Sequence, residues 1–189
     1  MALITPFKPH PGYITGNTYN MWVGAAASAA VPAADTIYLF PFPIYAPVTI
    51  TSIVQRVITG GAGSAVKAAI WGNSLVSNKP LGAPIVADNT GVATTSSSSN
   101  ATHDVIDTKF APGWYWFGSK FQATLPSMLA MSANAGYSGF FFGGSSTSTL
   151  IICGFSYADA YSNNMPTLAE GATFTNVTVS GIPLASFTL

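Results

Sequence analysis

Charge is what this sequence has least of. Of its 189 residues six are Lys or Arg and six are Asp or Glu, which is 6% where an ordinary soluble domain carries about 25%. The net charge is zero and the charges are scattered, so there is no basic patch to meet phosphate and nucleic-acid binding is not expected. Cysteine is almost as scarce: Cys153 stands alone between Leu150-Ile-Ile152 and Gly154-Phe155, so no internal disulfide can form, and its apolar neighbours mark a small buried hydrophobe. A long uninterrupted apolar run is also missing. The longest such tract, Trp22 to Ile58, is broken by Asp35, Pro41, Pro43 and Pro47, which excludes a membrane-spanning helix of about 20 residues. The opening Met1-Ala-Leu-Ile-Thr-Pro-Phe-Lys8 lacks a basic stretch followed by an apolar one, so no cleaved leader is expected.

What is present is apolar and aromatic. Hydrophobic residues make up 49% of the chain and aromatic residues 13%. A monomer so poor in charge would show water a partly apolar skin, and such patches usually mark contact surfaces. The composition therefore predicts an oligomer or a component of a larger assembly.

The central pattern is strand, glycine turn, strand. Thr49 to Thr59 is rich in β-branched residues, Gly60-Gly-Ala-Gly-Ser64 supplies backbone freedom, and Ala65 to Trp71 resumes a strand, which predicts an antiparallel hairpin. Residues 1–34 read as an extended N-terminal arm and linker. Pro6, Pro9, Pro11, Gly12 and Gly16 discourage a packed element, while Phe7, Tyr13, Tyr19 and Trp22 give the arm four large side chains with which to dock, on its own domain or on a neighbour. Ala25 to Ala30 reads as a linker or a single helical turn ended by Val31-Pro32.

From residue 35 to 189 the pattern is that of one β-sandwich domain. Asp35 to Ala46 opens the sheet region, with prolines that place it at an edge or a bend. A short strand at Pro80 to Ala87 precedes the punctuation Asp88-Asn-Thr-Gly91, Thr94 to Asn100 reads as an exposed loop, and Thr102 to Phe110 as a strand. Ala111-Pro-Gly113 is a type II turn signal leading into Trp114-Tyr-Trp-Phe117, whose alternation sends aromatics to both faces, so both faces need cover. Further strands are expected at Met128 to Met131, Gly139 to Phe142, Thr147 to Tyr157 and Ala172 to Leu189. Many short strands, frequent turns and no amphipathic helix predict an all-β fold, an antiparallel β-sandwich of jelly-roll type.

Catalytic signals are thin. His103, Asp104 and Asp107 form the one dense ionisable cluster, with His103 and Asp107 on one strand face, but no third ligand lies nearby, and the favoured reading is an exposed polar strand. His10 sits among prolines. Gly60 to Ser64 lacks the Gly-Lys-Ser/Thr ending of a phosphate loop, and Gly136-Tyr-Ser-Gly139 fails the nucleophile-elbow spacing. No catalytic residue, metal ligand or cofactor is assigned.

The order Tyr38-Leu-Phe-Pro-Phe-Pro43, Ile53-Val-Gln-Arg-Val-Ile-Thr59, Gly63-Ser-Ala-Val-Lys-Ala-Ala-Ile-Trp71, Pro80-Leu-Gly-Ala-Pro84 and Ala111-Pro-Gly-Trp-Tyr-Trp116 resembles a module of small β-sandwich virion proteins of tailed bacteriophages, over roughly Thr36 to Met131. Where that group often has an arginine followed by Leu-Gly-Ile-Tyr, this chain has Lys67-Ala-Ala-Ile-Trp71. The resemblance implies a non-enzymatic particle component on the outside of head or tail. The expected function is capsid decoration as an oligomer, with a homotrimer and the major capsid protein as partners and Phe7, Tyr13, Tyr19 and Trp22 as assembly contacts. The alternative is a tail-fibre or receptor-binding module that recognises a host glycan through the loops Asn73 to Lys79, Ser96 to His103 and Tyr157 to Met165.

Overall fold

The computed structural model describes residues 12–21, 26–131, 154–177 and 181–189. Within them the chain is all β: β1 (Thr18–Asn20), β2 (Ala26–Ala30), β3 (Thr36–Ile44), β4 (Val48–Thr59), β5 (Ala65–Asn73), β6 (Pro80–Ala93), β7 (Ser99–Phe110), β8 (Gly113–Phe121), β9 (Ser127–Met131), β10 (Gly154–Ala158), β11 (Thr175–Val177) and β12 (Ser186–Thr188). They form two antiparallel sheets packed face to face, the expected β-sandwich. The first sheet runs β1-β12-β4-β9-β2 with β7 along the other side of β4, and the second runs β11-β10-β3-β8-β5-β6.

Period-two alternation builds the core. In β4, Ile53, Gln55 and Val57 point inward and Val54 and Arg56 outward; in β8, Phe117 and Phe121 point inward and Trp116 and Lys120 to the opposite face. The inner cluster gathers Tyr38, Phe40, Phe42, Ile50, Ile53, Val57, Ile70, Phe117, Phe121 and Phe187 between the sheets. A second cluster lies on the outer face of the second sheet, where Ile37, Leu39, Ala69, Trp71 and Trp116 are roofed by Phe155, Met165 and Leu168. Both faces of β8 are thus covered from Trp116 onward, while Trp114 at its start remains exposed.

The hairpin expected at 49–71 does not form. β4 lies in the first sheet and β5 in the second, and they do not pair. Gly60 and Gly61 serve close approach instead of a hairpin turn, and Gly63 takes a positive φ: a Cβ on Gly60 would stand 2.0 Å from the Thr95 carbonyl oxygen, and one on Gly61 2.4 Å from that of Thr124. The corner is closed by backbone bonds from Gly61 N to Thr94 O and from Thr94 N to Ser64 O. Thr94, expected in an exposed loop, is fully buried there and donates to Ser64 Oγ at 2.7 Å, while Ser99 and Asn100 already belong to β7.

Two other elements differ from expectation. Ala26–Ala30 is a strand paired with β9, because an uncharged alanine run has no polar face to favour a solvated helix and β9 offers it five backbone partners. β3 is an inner strand, flanked by β8 and β10. Its prolines are tolerated because β10 spans only Thr36 to Leu39; beside Pro41 and Pro43 β8 is the one neighbour among the described residues, so no ladder donor is missing on the other side. Pro80 to Ala87 continues as β6 through Asp88 and Gly91 to Ala93, with register irregularities against β5. The expected strand at Gly139 to Phe142, the first part of that at Thr147 to Tyr157, and Cys153 lie outside the described residues.

Candidate interaction surface

Five of the seven large apolar side chains exposed among the described residues gather at one end of the sandwich, the other two being Ile85 of β6 and Ile106 of β7. The register pairs Ile44 with Gly113, Pro43 with Trp114 and Gly72 with Tyr115, and Val48 with Phe110, so the 44–48 connection, the start of β8 and the 74–79 turn share that end. There Leu75 is 95% exposed, Val76 87%, Ile14 65%, Tyr45 49% and Trp114 44%. A soluble fold has no reason to spend five large apolar groups on one rim, since burying one such side chain is worth roughly 1.5–3 kcal/mol.

The turn that carries Leu75 and Val76 is well fixed. Ser74 is buried; its Oγ accepts from the N–H of Val76 and of Ser77, each at 3.0 Å, and its N–H donates to Lys79 O at 2.8 Å. The two apolar side chains are therefore held out into solvent by a defined turn.

Two of the four aromatic residues expected as assembly contacts sit beside this rim. Tyr13 meets Tyr19 edge-on at 5.0 Å and Phe187 of β12 at 5.6 Å, and Tyr19 stacks on Phe187 at 5.9 Å. The Tyr13 hydroxyl accepts from the Tyr45 N–H at 3.2 Å, the Tyr19 hydroxyl accepts from that of Ile14 at 2.8 Å, and burial pushes the Tyr13 phenol up. Both rings are half-buried on their own sandwich, and with Pro43, Tyr45 and Phe187 they line a small cleft of about 100 Å³. Phe7 and Trp22 lie outside the described residues.

The ionisable cluster is arranged differently from its expected form. His103 is fully buried, while Asp104 and Asp107 are exposed and take no part. In place of Asp107, His103 Nδ1 meets Asp88 Oδ2 of β6 at 2.8 Å and Nε2 meets Gln55 Oε1 of β4 at 3.3 Å, so a polar chain crosses from one sheet to the other. The long strand β7 sets this: Ala101, His103 and Val105 alternate inward, which carries His103 into the core. Asp88 also accepts from the N–H of Thr90 and of Gly91, and the hydrogen bond from His103, with those two, holds its carboxyl below the usual range. With both ring nitrogens donating, the imidazole is an imidazolium; with the Gln55 amide turned over, Nε2 accepts instead. Among the described residues Gln55 Nε2 has no hydrogen-bond partner. This buried set links β4, β6 and β7 through the His103 ring.

A second buried polar set lies on the outer face of the second sheet. Lys67 and Lys120 are directly opposite each other in the β5–β8 register, an arrangement that repels unless both charges are satisfied. The 159–168 strap satisfies them. Lys67 Nζ donates to the carbonyls of Tyr161 and Asn163 at 2.8 and 3.0 Å, and Lys120 Nζ pairs with Asp159 and donates to the carbonyls of Ala160 and Asn163 at 2.9 and 3.1 Å. Burial, with Lys120 beside it, pushes Lys67 below the usual lysine range. The strap is also pinned by Trp71 Nε1 on Pro166 O and by Asn89 Oδ1 accepting from Met165 N–H. Tyr161, one of two aromatics in an expected glycan loop, is spent on this clamp, its ring 4.8 Å from Lys67 Nζ, and the other, Tyr157, packs on Phe174.

Sequence reasoning passed over both lysines, yet the alternation Lys67-x-Ala69-x-Trp71 and Trp116-x-Gly118-x-Lys120 placed each on the same face as a buried indole. Among the described residues no group of three His, Cys, Asp or Glu side chains is placed to hold a metal ion, and no helix is long and apolar enough to cross a membrane. Comparison with protein-family models, with curated proteins and with solved structures finds no match for this chain.

Proposed function

We propose that this chain is a non-enzymatic virion structural protein of a tailed bacteriophage, a capsid decoration protein that attaches to the outside of the head as a homotrimer. One observation carries the reading: the exposed apolar rim of Ile14, Tyr45, Leu75, Val76 and Trp114 at one end of a sandwich with almost no charge. Burial of such a rim against a neighbouring subunit or the major capsid protein would supply the association energy, and a protein that binds the assembled shell alone raises the cost of opening it by mass action. The order of apolar motifs from Tyr38 to Trp116 supports the phage setting. The polar tie through His103 and the clamp through Lys67 and Lys120 fit a particle component, for which a stiff fold matters more than a reactive group.

The test is co-sedimentation of the purified chain with empty capsid shells, with tails and with host cells. Saturable binding to shells in a fixed ratio is expected, and the double variant Leu75→Ser with Trp114→Ser should weaken it at least tenfold while circular dichroism stays unchanged. Binding to tails or cells with none to shells would overturn decoration in favour of a receptor-binding role. Undiminished shell binding by the double variant would remove the rim from the argument.

A further inference from the structure

The outer face of the first sheet carries a second, unrelated feature. β12 pairs with β4 at Ser52 to Val54 and β9 pairs with it at Val57 and Thr59, both on the side away from β7. Between those two contacts the neighbours part, and the sheet forks at Arg56. A cleft of about 220 Å³ opens there, with Val54 and Leu129 as its apolar floor and Thr18, Asn20, Asn100 and Ser186 around it.

Arg56 is the one arginine in the chain. It is exposed, and its Nη1 donates to Asn100 Oδ1 at 3.1 Å, which tethers one end of the guanidinium beside the cleft. Among the described residues it forms no ion pair. The carboxylate on its own sheet face, Asp104, pairs with Ser52 four residues along β7 from Asn100, about 13 Å away at the usual strand rise. Among the described residues Lys120 and His103 have carboxylate partners and Lys67 is held by carbonyls, while Arg56 lines the cleft with a neutral amide as its partner. Ser186 Oγ donates to Asn20 Oδ1 at 2.8 Å, so the Asn20 amide nitrogen is turned to other use.

We infer that the fork at Arg56 is a binding site for an acidic saccharide, its carboxylate taken by the Arg56 guanidinium. A planar guanidinium accepts a carboxylate through two parallel bonds. One cation among neutral groups matches a singly charged carboxylate better than a phosphate dianion, for which several donors or cations usually converge. The ring of hydroxyl and amide groups from Thr18, Asn20, Asn100 and Ser186 suits the hydroxyls of a sugar, and the Val54 and Leu129 floor suits its C–H face. A protein partner would call for an aromatic or aliphatic anchor pocket, which this cleft lacks. The site is distinct from the apolar rim, toward the far half of β4, so attachment through the rim would leave it open.

Saturation-transfer NMR on the full chain tests this, with methyl glucuronide as probe and methyl glucoside, acetate, inorganic phosphate and an aspartate-containing peptide as comparisons. Saturable binding of the glucuronide at millimolar concentration is expected, at least tenfold stronger than that of any comparison compound. Arg56→Met should lower it tenfold or more, Asn100→Ala should weaken it a few-fold by loosening the guanidinium, and both variants should keep the melting temperature because both side chains are exposed. No saturable glucuronide binding, or binding that survives Arg56→Met, would overturn the site. Equal binding of the acidic peptide, acetate or phosphate would overturn its assignment to a saccharide.

Discussion

At the scale of single residues, the buried ionisable groups are where this fold holds most of its specificity. Asp88 joins His103 to the Thr90–Gly91 turn, so Asp88→Ala strips a partner from a fully buried imidazole and two backbone N–H groups at once. The expected loss is about 3 kcal/mol at pH 7, read from urea midpoints. Because the Asp88 carboxyl is held down in the folded state, its contribution is complete above the unfolded value of about 3.9 and fades as pH falls through the folded value. The gap between wild type and Asp88→Ala should therefore narrow below pH 4; a gap that is constant from pH 6 to pH 2.5 would mean that the carboxylate form does not matter. His103 was visible in the sequence as part of a cluster, but its partners were not: Asp88 and Gln55 come from other strands, 15 and 48 positions away, and neighbouring Asp104 and Asp107 drew the reading toward the surface.

At the scale of elements, alternation was legible and pairing was not. The runs at Val48 to Thr59 and Trp114 to Phe117 announced strands, and both are strands with the faces their pattern requires. What the residues could not announce was that Gly60 to Ser64 leads out of one sheet into the other, since a glycine needed for positive φ and one needed for close backbone approach read alike. Gly60 distinguishes them experimentally. Gly60→Ala drives a methyl group into the Thr95 carbonyl and should cost about 2–3 kcal/mol, while Gly63→Ala meets no atom and pays only the strain of φ +72°, roughly 1 kcal/mol. Chemical denaturation of the two variants side by side checks the order. The strap is the other element to test. Lys120→Met takes the cation from Asp159 and the donor from the Ala160 carbonyl, leaving that of Asn163 to Lys67 alone, and should cost about 3 kcal/mol, with hydrogen exchange rising first at residues 159–168. Uniform exchange across both sheets would show that the strap is not a separate unit.

At the scale of the whole molecule, the composition already carried the main message: 6% charge in 189 residues left an uncharged surface to be explained, and the rim of Leu75, Val76 and Trp114 is where much of it collects. The aromatic pattern in the arm was legible too, though Tyr13 and Tyr19 lean on Phe187 of their own sandwich. Native mass spectrometry gives the prediction proper to this scale. The chain should run as a trimer, and replacing Leu75 and Val76 with serine should shift the population toward monomer or abolish shell binding; a monomer at every concentration that still binds shells would separate oligomerisation from attachment.

The slot that β12 fills has a consequence for synthesis. Phe187 pairs with Ile53, a residue made about 130 positions earlier, and lies between β4 and β1. As the chain emerges from the ribosome, β4 has β7 and β9 within reach before β12, so its Ser52-to-Val54 stretch should stay unpaired on one side and open to other nascent chains. Closure of the sheet beside Ile53 should therefore wait for residues 186–188, and growth temperature or chaperone supply should govern the yield of folded protein more than the stability of the finished sandwich does.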